Sequence, residues 1–225
     1  MAYDFDGSGD HIALTKGASA IDLSVLSYSF HVAQDATGTY REIFWMGGAW
    51  PSNFHSFCQE DGGGWGLTFK SGCTTGTQHG AWSIGNAGDT AWHNRVITYD
   101  YTSVSNDPLS YLDGVSQTVT ERATPTGSPR YSEDTSNLRL GAYSDGSAEY
   151  WDGRIAEFAI WNRILTAAEA AILGDGFSPA FIPNGLVFYA PMIRGLQDLK
   201  SGNVGTATNA VVYPHPRIIY PTGGL

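Results

Sequence analysis

Acidic residues supply the first candidates for chemistry in this chain of 225 residues. The stretch DFDGSGD, residues 4–10, matches the opening of an EF-hand loop, whose acidic side chains bind calcium through oxygen atoms. The twelfth position of such a loop needs a bidentate Glu, and here it is Thr15. We therefore interpret the stretch as a strand followed by a Gly-rich turn, without metal ligands.

Paired carboxylates are the second kind of catalytic candidate, because most glycoside hydrolases use two of them around the bond that they cleave. Glu149 and Asp152 flank two aromatic residues, and Glu157 follows in the next predicted strand. A jelly-roll glucanase would place acidic residues at alternate positions of one strand, whereas the alternate neighbours of Glu157 are Ile155 and Ala159. A lone strand carboxylate is typical of a structural hydrogen-bonding group, so the pattern argues against a hydrolase.

Nucleophilic and metal chemistry have equally little support. The sequence has no G-x-S-x-G turn and no Walker-type glycine loop, and neither cysteine lies in a catalytic motif. No two histidines have H-x-H or H-x-x-x-H spacing, which a zinc site would favour; the six are His11, His31, His55, His79, His93 and His215. We predict a protein that is not an enzyme and has no cofactor. Cys58 and Cys73 leave open a disulfide bond or two buried free thiols.

Tryptophans beside turn-forming residues are the remaining candidates for binding. Trp50 lies in GGAWPSN, and Trp82 lies in HGAWSI, which begins at His79. An exposed indole can stack on the apolar face of a sugar or anchor a protein partner. The alternative is that both rings cover the ends of the fold. We predict that Trp50, Trp82 and His79 form a platform for a glycan or a protein partner.

Charge and hydropathy argue against two classes of partner. The formal net charge is −10 and the 12 Lys and Arg residues are scattered, whereas nucleic-acid binding needs clustered basic residues. The same charge disfavours anionic membranes, and no apolar run approaches the roughly 18 residues of a spanning helix. The opening, MAYDFDGSGDHIAL, lacks the basic and apolar regions of a signal peptide, which predicts synthesis in a cytoplasm without export by that route.

The pattern of apolar residues predicts an all-β fold that positions these candidates. Stretches such as SYSFHV, REIFWM and HNRVITYDYT are typical of strands, and Asp113-Gly114 suits a tight hairpin turn. One short helix is predicted over residues 166–173, with Thr166 and Glu169 at capping-box spacing. No stretch has the composition of a linker, so we expect residues 1–225 to form one domain.

Three stretches resemble the laminin-G-like domains of the concanavalin A-like lectin/glucanase superfamily. They are YDFDGSGDHIAL, TAWHNRVITYDYTSVSNDPLSYLDGVSQT and NLRLGAYSDGSAEYWDGRIAEFAIWNRILTAAEAAIL. The resemblance covers about residues 3 to 173 and implies a jelly-roll sandwich of two antiparallel sheets with one short helix. Some members bind a ligand through calcium at the rim, but the ligands of that ion do not map onto residues of this sequence.

The end of the chain departs from the order that is usual in that family. GLVFYAPM, residues 185–192, resembles the strand that opens many members, yet here it follows the helix. This looks like a circular permutation in which residues 185–213 supply the closing strand and loop of the same sandwich. We expect residues 214–225 to form an extended Pro-rich tail, lying along its own sandwich or across a neighbouring subunit.

The ending HPRIIYP resembles the ends of laminin-G-like proteins of tailed bacteriophages. The resemblance implies a non-catalytic virion structural protein, a capsid decoration protein, that contacts the major capsid protein or another virion protein. It also implies a homo-oligomer on the capsid surface with a capacity to hold glycans. The tail residues expected to dock on a partner are Tyr213, His215, Arg217 and Tyr220. The alternative function is a carbohydrate-binding, lectin-like module outside a virion.

Overall fold

Two antiparallel sheets form the framework of the protein in the computed structural model, which describes residues 2–36, 40–48, 54–60, 66–72, 79–85, 89–127, 137–193 and 195–222. Strands are numbered in chain order. Sheet A contains β1 (Ala2–Asp6), β3 (Val25–Gln34), β8 (His93–Asp100), β9 (Leu109–Leu112), β10 (Val115–Gln117), β13 (Asp152–Trp161), β14 (Leu186–Ala190) and β16 (Val211–Tyr213). Sheet B contains β2 (His11–Thr15), β4 (Arg41–Gly47), β5 (Phe54–Glu60), β6 (Gly66–Ser71), β7 (Gly80–Ser83), β11 (Thr120–Ala123), β12 (Asn137–Leu140) and β15 (Thr206–Thr208).

The hydrophobic core lies between the two sheets, because alternate residues of each strand point to the same side. On β3, Tyr28 and Phe30 are fully buried in this core. They meet rings from sheet B: the Tyr28 and Phe44 centroids are 4.9 Å apart, and those of Phe30 and Phe57 are 5.3 Å apart. The predicted all-β, two-sheet sandwich is therefore confirmed.

One α-helix, α1 (Ala167–Gly174), packs on the outer face of sheet A. Its predicted capping box is present: the backbone N–H of Glu169 donates to the Thr166 hydroxyl, and the Glu169 carboxylate accepts from the Thr166 N–H. Buried Ala170 and Leu173 hold the helix against the sheet, which an eight-residue helix needs because it is too short to be stable alone. Within the described ranges, no helix is both long enough and apolar enough to cross a membrane.

The last part of the chain completes sheet A beside its first strand. All of β14 is buried, and it pairs antiparallel with the second half of β13. The first half of β13 pairs with β1, so β1 and β14 follow one another along the same edge. The strand β16 then pairs with the free side of β1, where Ala2 is opposite Tyr213. The predicted strand in GLVFYAPM is thus a core element of the sandwich.

Candidate functional site

A cavity with a volume of about 490 Å³ opens on the outer face of sheet B. We call it the acidic cleft, because three of its side chains are glutamates. Its lining residues are Tyr40, Glu42, Trp45, Glu60, Lys70, His79, Tyr143 and Glu149. Strands β4, β5 and β6 form its floor, and a loop residue, Glu149, closes one side.

A β-bulge in β4 brings the cleft residues to one face. Glu42 is opposite Cys58 and Trp45 is opposite Ser56, so Ile43 is the extra residue between two regular stretches. Because Ser56 and Cys58 are two apart on β5, Glu42 and Trp45 lie on the same side of the sheet although they are three apart in sequence. The segment REIFWM, apolar on both faces by pattern, therefore presents one carboxyl and one indole to the cleft.

Aromatic rings form one wall of the acidic cleft. The Trp45 indole stacks on Phe54 with 4.4 Å between centroids, and Tyr143 lies on it at 4.5 Å. The indole N–H of Trp45 donates to the carbonyl of Gly48 at 2.8 Å, which fixes the ring. Tyr40 is 43% exposed, and the Lys70 ammonium lies 5.2 Å from its centroid in a cation–π contact. Tyr40 and the partly exposed Tyr143 thus offer aromatic surface to a ligand, and the buried Trp45 supports Tyr143 from below.

A buried ion pair lies on the floor of the cleft, where the Lys70 Nζ is 2.9 Å from Glu60 Oε2. Burial alone would lower the pKa of Lys70, but the ion pair and hydrogen bond with Glu60 oppose this, so the ammonium stays charged. Burial also raises the pKa of Cys58 well above its ordinary value, so this free thiol is neutral. Cys73 lies outside the described residues, and the predicted alternatives for the two cysteines stay open.

Two carboxyl groups share a hydrogen bond beside the ion pair. Burial raises the pKa of Glu42 well above its ordinary value, and the charge of Glu149 adds to that increase, so the protonated form of Glu42 is favoured. Burial also raises the pKa of Glu149, and the hydrogen bond from Glu42 opposes this. The Glu42 backbone N–H donates to the Glu149 carbonyl at 2.8 Å, which holds the two residues together. The cleft thus combines three carboxyl groups with one ammonium group.

The predicted tryptophan platform is only partly placed by the structure. Trp50 lies outside the described residues. Trp82 is 0% exposed and packs in the core on Phe69 and Tyr99, and its indole N–H donates to Asp107 at 2.7 Å. The expectation that Trp82 is an exposed ring was wrong, because β7 lies inside sheet B and Trp82 takes one of its inward positions.

His79 lines the acidic cleft and is half-buried beside Phe54. Burial, and then the nearby Lys70 charge, lower the pKa of His79 to about 4, so its ring is neutral at pH 7. A neutral imidazole both donates and accepts hydrogen bonds. His79 is thus the member of the predicted platform that the structure places in the cleft.

The tail residues that were expected to dock on a partner contact their own chain. The Tyr213 ring lies under the Arg154 guanidinium at 4.9 Å. His215 Nε2 and the Tyr220 hydroxyl reach the buried carboxylate of Glu157, at 3.0 and 2.5 Å. Arg217 is exposed. Tyr213, His215 and Tyr220 therefore have partners within the chain, and their docking on another protein stays a prediction.

The acidic residues considered from sequence lie in three separate places. Glu149 is in the acidic cleft, Asp152 forms an ion pair with Arg41 at 3.3 Å, and Glu157 binds the tail. The structural role predicted for Glu157 is confirmed. In the part of the chain that the structure describes, no three His, Cys, Asp or Glu side chains converge on a metal site.

Sequence reasoning missed Glu42, Glu60 and Lys70. They lie on three strands, and only the pairing of β4 with β5 and of β5 with β6 brings them together. The available signal was the polar residues at alternate positions of the segments FHSFCQE and GLTFKS. No residue pattern within β4 indicates the shift in strand register at its bulge.

A family model matches most of the chain. The model described as the concanavalin A-like lectin/glucanases superfamily, Laminin_G_3, matches residues 6–171. The strand β14 and the tail lie beyond this match. No curated protein sequence matches the chain.

Several solved structures share the fold. A candidate carbohydrate-binding protein from Bacteroides ovatus is similar over 97% of this chain, with a TM-score of 0.69 and 16% identity, and this chain spans 61% of its length. A heptameric SAP-like pentraxin from Limulus polyphemus has a TM-score of 0.60 and 14% identity over 93% of each chain. The CBM40 of a Ruminococcus gnavus sialidase has a TM-score of 0.54 and 10% identity, over 77% of this chain and 98% of the module. At these identities the likeness shows the fold alone.

Proposed function

This chain belongs to the concanavalin A-like lectin/glucanases superfamily, and on that premise we propose that it is a non-catalytic glycan-binding domain whose ligand lies in the acidic cleft. The observation that carries the proposal is the pairing of a fixed aromatic wall with carboxyl groups in one open cavity of about 490 Å³. That combination suits sugars, which present apolar C–H faces and many hydroxyl groups. Two of the structural neighbours, described above as carbohydrate-binding, support the same class of ligand.

The arrangement of the carboxyl groups supports binding rather than hydrolysis. Two catalytic carboxyl groups lie about 5 to 10 Å apart, with the scissile bond between them. Glu42 and Glu149 instead share a hydrogen bond, and Glu60 is occupied by Lys70. Since Glu42 and Glu149 are in direct contact, this pair leaves no room for a glycosidic bond between its members. Carboxyl oxygens that line the cleft can accept hydrogen bonds from the hydroxyl groups of a sugar.

Removal of an aromatic ring from the cleft wall tests this proposal. A glycan array would identify a ligand, and calorimetry would compare its affinity for the wild type, Tyr40→Ala and Tyr143→Ala. We expect each variant to bind about fivefold more weakly, because a ring contact contributes about 1 kcal/mol. Phe181→Ala is the matched control, since Phe181 is 41% exposed but packs on Phe177, away from sheet B. Equal affinities in all four proteins would place the ligand elsewhere.

A role on a virion is a finer proposal, drawn from the tail sequence. It takes the capsid surface as the location and a capsid or other virion protein as the partner. Since Tyr213, His215 and Tyr220 are used within the chain, a partner surface would have to include other residues, such as exposed Arg217. Mass spectrometry of purified virus-like particles tests the location, and absence of the chain from particles would contradict it.

We also propose a homo-oligomer, which the fold likeness to a heptameric pentraxin supports by analogy only. Light scattering coupled to size exclusion measures the mass directly. A monomer at all accessible concentrations would contradict this proposal without affecting the proposal for the cleft.

A further inference from the structure

A second cavity lies on the opposite side of the molecule, on the outer face of sheet A. It has a volume of about 300 Å³, and the C-terminal tail forms part of its wall. We call it the tail pocket. The residues that define it here are His31 on β3, Asn94 on β8, Trp92, Asp113 in the β9–β10 turn, the segment 174–176 after α1, and Arg217.

The floor of the tail pocket contains polar atoms that have no protein partner. His31 is 6% exposed and its Nδ1 makes no hydrogen bond, and Asn94 is 1% exposed and its Oδ1 makes none. The Asn94 amide nitrogen is held by the Ser29 hydroxyl at 3.1 Å, so its oxygen is free to accept. An unpaired buried polar group costs about 1–3 kcal/mol, and native proteins rarely leave one without a partner. A polar occupant of the pocket would supply these two side chains with a partner.

The charges around the pocket favour hydrogen-bond donors over anions. Asp113 accepts from the His93 ring at 2.6 Å and from the Asn94 backbone N–H at 2.8 Å, so its carboxylate is fixed in place. Asp175 also lines the pocket, and so does the C-terminal end of α1, which carries a partial negative charge. Arg217 is the one cation among the described lining residues. A negatively charged ligand would meet more repulsion than attraction.

The size and the lining of the tail pocket limit the range of possible ligands further. A volume of about 300 Å³ is at the lower limit of small-molecule sites and suits one compact molecule rather than a chain of sugars. The half-buried Trp92 adds an aromatic surface to this polar lining. A pyranose has an apolar face for an indole and hydroxyl groups that both donate and accept.

We propose that the tail pocket binds a single neutral sugar residue, at a site separate from the acidic cleft. Asn94 and Asp113 would accept from its hydroxyl groups, His31 and Arg217 would complete the polar contacts, and Trp92 would pack on its apolar face. The site depends on the tail, because Pro216 and Arg217 close one side. This inference does not rest on the function proposed for the cleft.

Nuclear magnetic resonance of the Trp92 indole N–H tests the proposal, with Trp92→Ala used to assign its signal. The probes are D-glucose, D-galactose, D-mannose and N-acetyl-D-glucosamine, with N-acetylneuraminic acid as the anionic probe. We expect at least one neutral sugar to shift the signal saturably, with a dissociation constant in the millimolar range, and the anionic sugar to leave it unchanged.

Two further variants separate this pocket from the cleft. Asp113→Asn keeps the left-handed backbone at this position, where φ is 48° and Asn is tolerated, but removes the charged acceptor. We expect it to bind the same sugar about tenfold more weakly, as for the loss of one charge-assisted hydrogen bond. Tyr40→Ala should bind it as the wild type does. The proposal is overturned if no neutral sugar shifts the signal, if the anionic sugar binds better, or if only Tyr40→Ala abolishes the shift.

Discussion

Glu157 is fully buried in the middle of β13, at a left-handed position with φ of 58°. It lies between the part of β13 that pairs with β1 and the part that pairs with β14. The backbone hydrogen bonds along this edge of β13 are therefore interrupted at Glu157. Its carboxylate accepts from the hydroxyls of Tyr189 and Tyr220, each at 2.5 Å, and lies 3.0 Å from the His215 ring. One acidic side chain thus joins two strands to the tail.

Replacing this carboxylate by an amide should lower the stability. In Glu157→Gln the shape is kept, but charge-assisted hydrogen bonds are lost and an NH₂ group faces hydroxyl donors. We expect the free energy of unfolding, measured in urea, to fall by about 2 kcal/mol. Glu121→Gln, at an exposed position of β11, is the control and should change it by less than about 0.5 kcal/mol. An equal, small change in both would contradict the role assigned to Glu157.

The raised pKa of Glu42 predicts that the stability of the protein falls as pH rises. This pKa is raised in the folded state, so folding retains a proton that the unfolded chain releases above about pH 4.5. This contribution to stability is full below that pH and is lost as pH rises through the folded pKa. In Glu42→Gln the group is neutral at every pH, and its amide can still donate to Glu149. We expect the thermal midpoint of the variant to fall less than that of the wild type between about pH 5 and about pH 8.

The quantity compared is the change in thermal midpoint between the two pH values, taken within each protein. A change in stability that is the same at both pH values therefore does not affect the comparison. Glu121→Gln again serves as the control and should keep the wild-type dependence. If Glu42→Gln keeps it as well, Glu42 is ionised in the folded protein.

The tail, residues 214–222 of which are described, is attached to its own chain rather than being a free arm. Ser178 N–H donates to the Ile219 carbonyl and Ile219 N–H donates to the Gly176 carbonyl, both at 2.9 Å. These bonds attach the tail to the loop that follows α1. Together with the contacts of Glu157 to His215 and Tyr220, they hold in place the tail residues that form one side of the tail pocket.

Deletion of residues 214–225 should therefore cost more stability than Glu157→Gln. The deletion removes His215 and Tyr220 and leaves a buried carboxylate with fewer partners, for which about 3 kcal/mol is expected in urea unfolding. In the Glu157→Gln background the same deletion should cost less, because no buried charge remains. Additive effects of the two changes would show that the tail stabilises the fold through other contacts.

At the scale of the whole molecule, the sequence predicted the fold well and the cleft poorly. Strand alternation, the capping box of α1 and the resemblance of residues 3 to 173 are local or linear signals, and each led to the observed sandwich. The cleft depends on which strands become neighbours and on one bulge in β4, which alternation alone does not reveal. Trp82 shows the same limit, because a turn-rich neighbourhood says nothing about which face of β7 is covered.

The neighbours of β1 in sheet A have a consequence for the way in which this protein is made. Among the described strands, β1 (Ala2–Asp6) pairs only with β13 and with β16, both of which follow it by about 150 residues or more in the chain. The core strand β14 is synthesised almost as late. Sheet A cannot therefore assemble in the order of translation: its first strand has no partner until most of the chain has emerged. Completion of the fold is a late, cooperative event, and nascent chains spend most of their synthesis with an open sheet edge that chaperones would protect.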